Sequence, residues 1–160
     1  LGDKFYVDDN VETPDSMLAT FQYPKFLASY ESRTCNPTPM FNRGYGTSFH
    51  GTKATLVVNR DGYWIMPVGR DAGPVVEVTD KEMRPMNEPH WRNWLDCIQS
   101  RKRPVYDVEI GHRVTTWSHL GNIAYLTGRK LRWDPARQCF PDDPEANRLR
   151  SRAMRAPYTY

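Results

Sequence analysis

The sequence predicts an α+β domain: an open, mostly antiparallel β-sheet with helices packed on one face. Three observations carry this. The first 80 residues alternate apolar and polar side chains with period two, between short turn signals. From Pro89 onward the apolar spacing changes to three and four residues. Strands precede helices instead of alternating with them, which separates this pattern from a parallel doubly wound sheet. The 160 residues suffice for one domain, and 39% hydrophobic content with five Trp, nine Tyr and six Phe supplies a core.

Ser16–Tyr23 places Met17, Ala19, Phe21 and Tyr23 on one face of a strand. Pro24-Lys25 interrupts it, and Phe26–Arg33 resumes with Phe26, Ala28 and Tyr30 on one face, a hairpin pattern. Cys35–Gly44 reads as a loop because Pro37 and Pro39 lack ladder donors. Tyr45–His50 is a short strand. Ala54–Asn59 and Tyr63–Pro67 are β-branched and aromatic, joined across Asp61-Gly62, a strong hairpin signal. Val75–Thr79 follows a turn at Asp71–Pro74.

Pro89 opens a helix to about Arg101 in which Trp91, Trp94, Leu95 and Ile98 form an apolar stripe, expected to bury against the sheet. Asp107 caps a second helix to about Thr127, with Ile110, Val114, Trp117, Leu120 or Gly121, and Ala124 facing inward and Gly128 ending it. Lys130–Trp133 and Arg137–Phe140 read as strands, Asp142–Leu149 as a short helix, and Arg150–Tyr160 as an extended tail.

Residues 1–100 hold ten Lys/Arg against thirteen Asp/Glu, and residues 101–160 hold twelve against six. The basic C-terminal third raises nucleic acid as a partner, but Arg101-Lys102-Arg103 at a helix C-terminus has a simpler use, and nucleic acid is set aside. Apolar runs are far shorter than the ~20 residues of a membrane span, so no membrane partner is expected. Three widely spaced Cys (Cys35, Cys97, Cys139) fit reduced, mostly buried thiols better than a disulfide framework. The first residue is Leu1, which reads as the start of a processed product or of a piece of something longer.

Motifs for chemistry are sparse. Gly44-Tyr45-Gly46-Thr47-Ser48-Phe49 lacks the third glycine and the following helix of a dinucleotide fingerprint. Gly46–Lys53 misplaces the lysine of a phosphate loop. No Cys-x-x-Cys or His-Glu-x-x-His ligates metal, and no Gly-x-Ser-x-Gly elbow supports hydrolysis. His112 and His119 share a helix face but stand about 10 Å apart along the axis. His50 and His90 are isolated. Catalytic, cofactor-binding and metal residues are therefore assigned to none. The second helix does carry a ribbon of His112, Thr116, His119 and Asn122, with Thr115 an alternative to Thr116. Uncharged groups that both donate and accept suit hydroxylated ligands, and these four are the substrate-facing candidates; an interface or ordinary surface is the other reading.

Several stretches together resemble one family. Gly51-Thr52-Lys53-Ala54-Thr55-Leu56 resembles the Gly-Thr-x-Gly-x-Leu strand of the Gfo/Idh/MocA oxidoreductases, with Ala54 in place of the commoner Gly. His90–Arg103 followed by Pro104 resembles the family's helix ending in a basic turn. His119–Tyr125 and Gly128–Pro135 resemble its closing helix and strand. The likeness spans roughly residues 15–157 and is nearest the bacterial branch.

The resemblance implies that residues 1–160 are a single C-terminal substrate and oligomerisation domain, its N-terminal Rossmann domain absent from this chain. The parent would be an NAD(P)-dependent enzyme acting by hydride transfer on a sugar, cyclitol or related polyol. The family's Glu-Lys-Pro lysine and Asp-x-x-x-His pair do not occur here, so no catalytic residue carries over and this chain alone is expected to be inactive and to bind no cofactor. NAD or NADP would bind the parent. Partners implied are the Rossmann domain and further copies of the chain through the exposed sheet face, with Tyr30 and Leu27, and Trp64 and Ile65, as apolar pairs on opposite faces. A free-standing carbohydrate-binding or protein-interaction module is the alternative. The sequence leaves localisation open between a cytoplasmic parent and one exported by a twin-arginine signal.

Overall fold

A computed structural model describes residues 1–36, 38, 39, 43–70, 73–79 and 87–158. In chain order the elements are β1 (Gly2–Asp3), β2 (Ser16–Gln22), β3 (Leu27–Arg33), β4 (Thr47–His50), β5 (Ala54–Val58), β6 (Gly62–Pro67), β7 (Val76–Thr79), α1 (Asn87–Ser100), α2 (Val108–Thr127) and α3 (Pro144–Arg148). The α+β class and the antiparallel pairing hold. The strands form two sheets, ordered β1-β2-β3 and β4-β5-β6-β7. The chain divides into two compact units, one of residues 1–36 with 106–160 and one of residues 37–105.

In the first unit the hairpin register pairs Met17 with Ser32, Ala19 with Tyr30 and Phe21 with Ala28. One face of β2 therefore carries Met17, Ala19 and Phe21, as the alternation requires. Strand β1 adds Gly2 opposite Met17; two residues are too short for any periodicity to announce them. Helix α2 starts where the Asp107 carboxylate accepts the Ile110 N–H at 3.0 Å and ends at Gly128. It rests on β2 at Gly121, where a Cβ would touch the Met17, Phe21 and Ala19 side chains at 3.5–3.7 Å.

The second face of α2 is covered by the C-terminal segment. Ile123 (5% exposed), Phe140 (1%) and Ala146 (0%) form a core, with Leu120, Leu131 and Trp133 against it. Trp133 meets Phe140 edge-on at 5.0 Å. Ile123 stands outside the expected stripe, whereas Ile110 and Val114 within it are exposed. The single-stripe reading assumes one packing partner; α2 has two.

The expected strands Lys130–Trp133 and Arg137–Phe140 do not form. Only an isolated bridge joins Asp134 to Cys139. The Asp134 Oδ1 accepts the N–H groups of Ala136 and Arg137 at 2.9 and 3.1 Å, which folds the chain into a turn before a ladder can propagate. Helix α3 is capped by Asp143, whose carboxylate also takes both Arg129 guanidinium nitrogens at 2.6 and 2.8 Å.

In the second unit, β5 and β6 join through an Asx turn: the Asp61 N–H donates to Asn59 Oδ1 at 2.8 Å, and the Asn59 N–H to the Gly62 carbonyl at 3.1 Å. Gly62 has φ 153° and lies so close to the Val78 carbonyl that no Cβ fits. One face of this sheet carries Val57 and Trp64, both buried, with the Arg43 guanidinium 3.9 Å over the Trp64 ring. The other carries Phe49, Leu56, Val58, Tyr63, Ile65, Val76 and Val78. Helix α1 forms as expected, but its stripe is not buried: Trp94 is 50% exposed and Trp91, Leu95 and Ile98 are exposed as well. Periodicity identifies a stripe without saying what covers it. The Asp71–Pro74 turn begins on residues outside those described, as does Pro37 of the 35–44 loop.

Candidate functional site

A groove of about 290 Å³ opens in the first unit between β2, β3 and α2. Its floor is apolar: Met17, Ala19 and Phe21 from β2 and Trp117 and Gly121 from α2. The indole of Trp117 lies 4.4 Å from Phe21, tilted by 30°, and Tyr30 meets it edge-on at 5.9 Å. The rim is polar. Ser32 and Thr34 follow Tyr30 on the same side of β3, and Ser118 and Asn122 stand one helical turn apart on α2. Thr13 and Pro14 close one end. Every described lining residue is uncharged.

The Thr13-Pro14 wall is held by the next residue. Asp15 is 4% exposed, and its Oδ2 accepts the N–H groups of Val7, Tyr6 and Phe5 at 2.9, 2.8 and 3.0 Å. Those N–H groups, Val7 first, bring its carboxyl down to about 2. Asp143 also lies at about 2, chiefly because Arg129 bonds it and then because the Ala146 N–H does. Both folded values lie below the ordinary carboxyl value of 3.8. Between those values the unfolded state binds more protons, so stability rises with pH there. Thermal melts followed by circular dichroism should show Tm level from neutral pH to about 5, then falling as pH drops through 4 toward 2. Asp15→Asn should flatten that acid slope; an unchanged slope would remove Asp15 from the account.

Of the four ribbon residues, Asn122 lines the groove. His112 is exposed, its Nε2 3.1 Å from Gln138 Oε1. The Thr116 hydroxyl donates to the His112 carbonyl at 2.8 Å. His119 is exposed on the helix. The ribbon is thus divided between the groove and the flank beside the 134–139 turn. Tyr30 and Trp117 were read from sequence only as apolar face and stripe positions, and Ser32, Thr34 and Ser118 were not singled out. The run Tyr30, Ser32, Thr34 at every second position was legible as a face, but nothing in it told that α2 would stop short of covering its polar end.

Elsewhere, His50 sits between Ser48 Oγ at 2.9 Å and Thr55 Oγ1 at 3.2 Å. The arrangement is on exposed strand β4, with a hydroxyl on each side of the imidazole. All three cysteines are free, with Cys35 exposed rather than buried. Among the described residues no group of three acidic, His or Cys side chains gathers as a metal site, and no helix is long and apolar enough to cross a membrane.

The described residues make up an antiparallel α+β architecture with an uncharged groove between β2, β3 and α2. A family model described as "oxidoreductase family, C-terminal alpha/beta domain" matches residues 74–160, more than half of the chain. The chain belongs to the Gfo/Idh/MocA oxidoreductase family, as its C-terminal domain. No curated protein and no solved structure matches it.

Proposed function

We propose that this chain is the substrate-side domain of an NAD(P)-dependent enzyme that transfers hydride to or from a sugar, cyclitol or related polyol. The observation that carries the reading is the groove: an aromatic floor under a rim of hydroxyls and the Asn122 amide, in a domain of an oxidoreductase family. A polyol ring has apolar C–H faces and polar edges, and such a groove offers a partner to each. The α2 ribbon borders the cleft in this reading. Asn122 does so from inside the groove, and His119 from the exposed surface three residues earlier. His112 and Thr116 do so in positions held by Gln138 and by their own helix.

Among the described residues the groove offers no seat for the pyrophosphate of a nicotinamide dinucleotide. A pyrophosphate needs a free helix N-terminus or a cation. The start of α2 is occupied by the Asp107 carboxylate, that of α3 by Asp143, and the groove carries no described cation. The cofactor belongs to a nucleotide domain, and the hydride chemistry is the cofactor's. The test is paired. The full-length polypeptide should reduce NAD or NADP with at least one neutral sugar or cyclitol of a panel. This chain alone, in calorimetric titration, should show no saturable NADH or NADPH binding at micromolar levels. Tight binding by the chain alone, or no turnover by the full-length protein, would contradict the proposal.

Self-association through an open sheet face belongs to the same reading. The apolar face of the β4–β7 sheet supports it, with Phe49, Tyr63, Val76 and Val78 all exposed. The opposite face is capped by Arg43 over Trp64, so Ile65 and not Trp64 belongs to the open one. The β2–β3 face carrying Leu27 is mixed, with Thr20, Gln22, Ser29 and Glu31 around it. Sedimentation equilibrium at tens of micromolar should show a dimer or larger, and Val78→Lys should shift it toward monomer. A purely monomeric wild-type chain would count against it.

A further inference from the structure

We propose that the groove selects for electrically neutral ring ligands, with Tyr30 and Trp117 as the platform for the ring and Ser32, Ser118 and Asn122 as its hydrogen-bonding rim, and that it rejects ligands bearing a phosphate or a carboxylate. This rests on the substrate-side reading above and narrows it. The groove's 290 Å³ stands at the lower edge of the roughly 300–1,000 Å³ of small-molecule sites, room for one ring and not for a chain of them. None of the described lining residues is ionised at neutral pH. Of the arginines on the elements that form the groove, Arg33 Nε is 2.8 Å from Glu31 and Arg113 Nε is 2.8 Å from Glu109, each charge met by a carboxylate. An anionic substituent entering the groove would lose water and find no counter-charge.

The rim works in the opposite sense for hydroxyl groups. Ser32, Ser118 and the Asn122 amide each offer a donor and an acceptor, so a hydroxyl is matched whichever way its proton points. The floor then fixes which face of the ring is down. Phe21 lies against Trp117 and Tyr30 stands on its edge, so the aromatic surfaces are held by one another before any ligand arrives.

Glucose, glucose 6-phosphate and glucuronate are suitable probes, followed on the full 160-residue chain by amide and indole NMR shifts. Glucose should move the Trp117, Ser118 and Asn122 signals, and the two anions should bind at least tenfold more weakly. Ser118→Lys, which puts a cation on the rim, should raise the affinity for glucose 6-phosphate relative to that for glucose at least tenfold. Equal or tighter binding of either anion at these signals overturns the selectivity while leaving the substrate-side reading intact. Glucose shifts confined to other residues, or none at millimolar concentrations, overturn the groove as the ring site. The substrate-side reading itself then stands or falls separately, on turnover by the full-length protein.

Discussion

Phe140→Ala should destabilise the chain by about 3–5 kcal/mol, the usual cost of emptying a buried aromatic site. Phe140 is 1% exposed and sits where the C-terminal segment closes on α2, touching Trp133 and sharing its cluster with Ile123 and Ala146. The site has little freedom to collapse. The Phe140 N–H and carbonyl are both bonded to the Asn147 amide, at 3.0 and 2.7 Å, so the backbone stays while the ring goes. Trp94→Ala is the contrast. Its stripe position alone predicts a similar loss, but at 50% exposure the expected cost is about 1 kcal/mol or less. Chemical denaturation of the two variants decides it. A larger loss for Trp94 than for Phe140 would mean that α1, not the C-terminal segment, closes the principal core.

Gly121→Leu should cost about 1–3 kcal/mol or more through overpacking, whereas Gly121→Ala should be neutral or stabilise by up to about 1 kcal/mol. The two substitutions differ only in reach. A Cβ at this helix position makes ordinary contacts of 3.5–3.7 Å with Met17, Phe21 and Ala19, so Ala fits and the helix gains from losing a glycine. Any atom beyond Cβ enters the β2 side chains or the groove floor beside Trp117. Thermal melts of both variants read this directly. Equal tolerance of Leu and Ala would show that α2 does not rest on β2 at this point.

Most elements were legible because their signals are local. The β2–β3 hairpin follows from period-two alternation broken at Pro24, the β5–β6 turn from Asp61-Gly62, and α2 from Asp107 and Gly128 at its ends. What escaped was decided by tertiary contact. Ile123 is buried because the 131–146 segment wraps a second face of α2, which no helical period encodes. Lys130–Trp133 has strand composition, but Asp134 turns the chain on its own side chain. The site divided in the same manner. Asn122 was visible as an uncharged residue on a helix face, while its neighbours in the groove come from β3, brought beside α2 only by the fold. The family was legible from motif order along the chain, and the matched 74–160 stretch includes both helical segments that suggested it.

The most direct test of the central claim is steady-state kinetics of the full-length enzyme carrying Asn122→Ala, with its preferred neutral polyol and saturating nicotinamide cofactor. A rim amide that bonds the substrate should lower kcat/KM at least tenfold, roughly the 1.4 kcal/mol of one lost hydrogen bond, while Tm stays within a degree or two. Asn122→Asp, which keeps the shape and adds a charge, should depress kcat/KM at least as far. Unchanged kcat/KM in both variants, or a loss accounted for wholly by unfolding, would contradict the account and return the groove to a purely structural role.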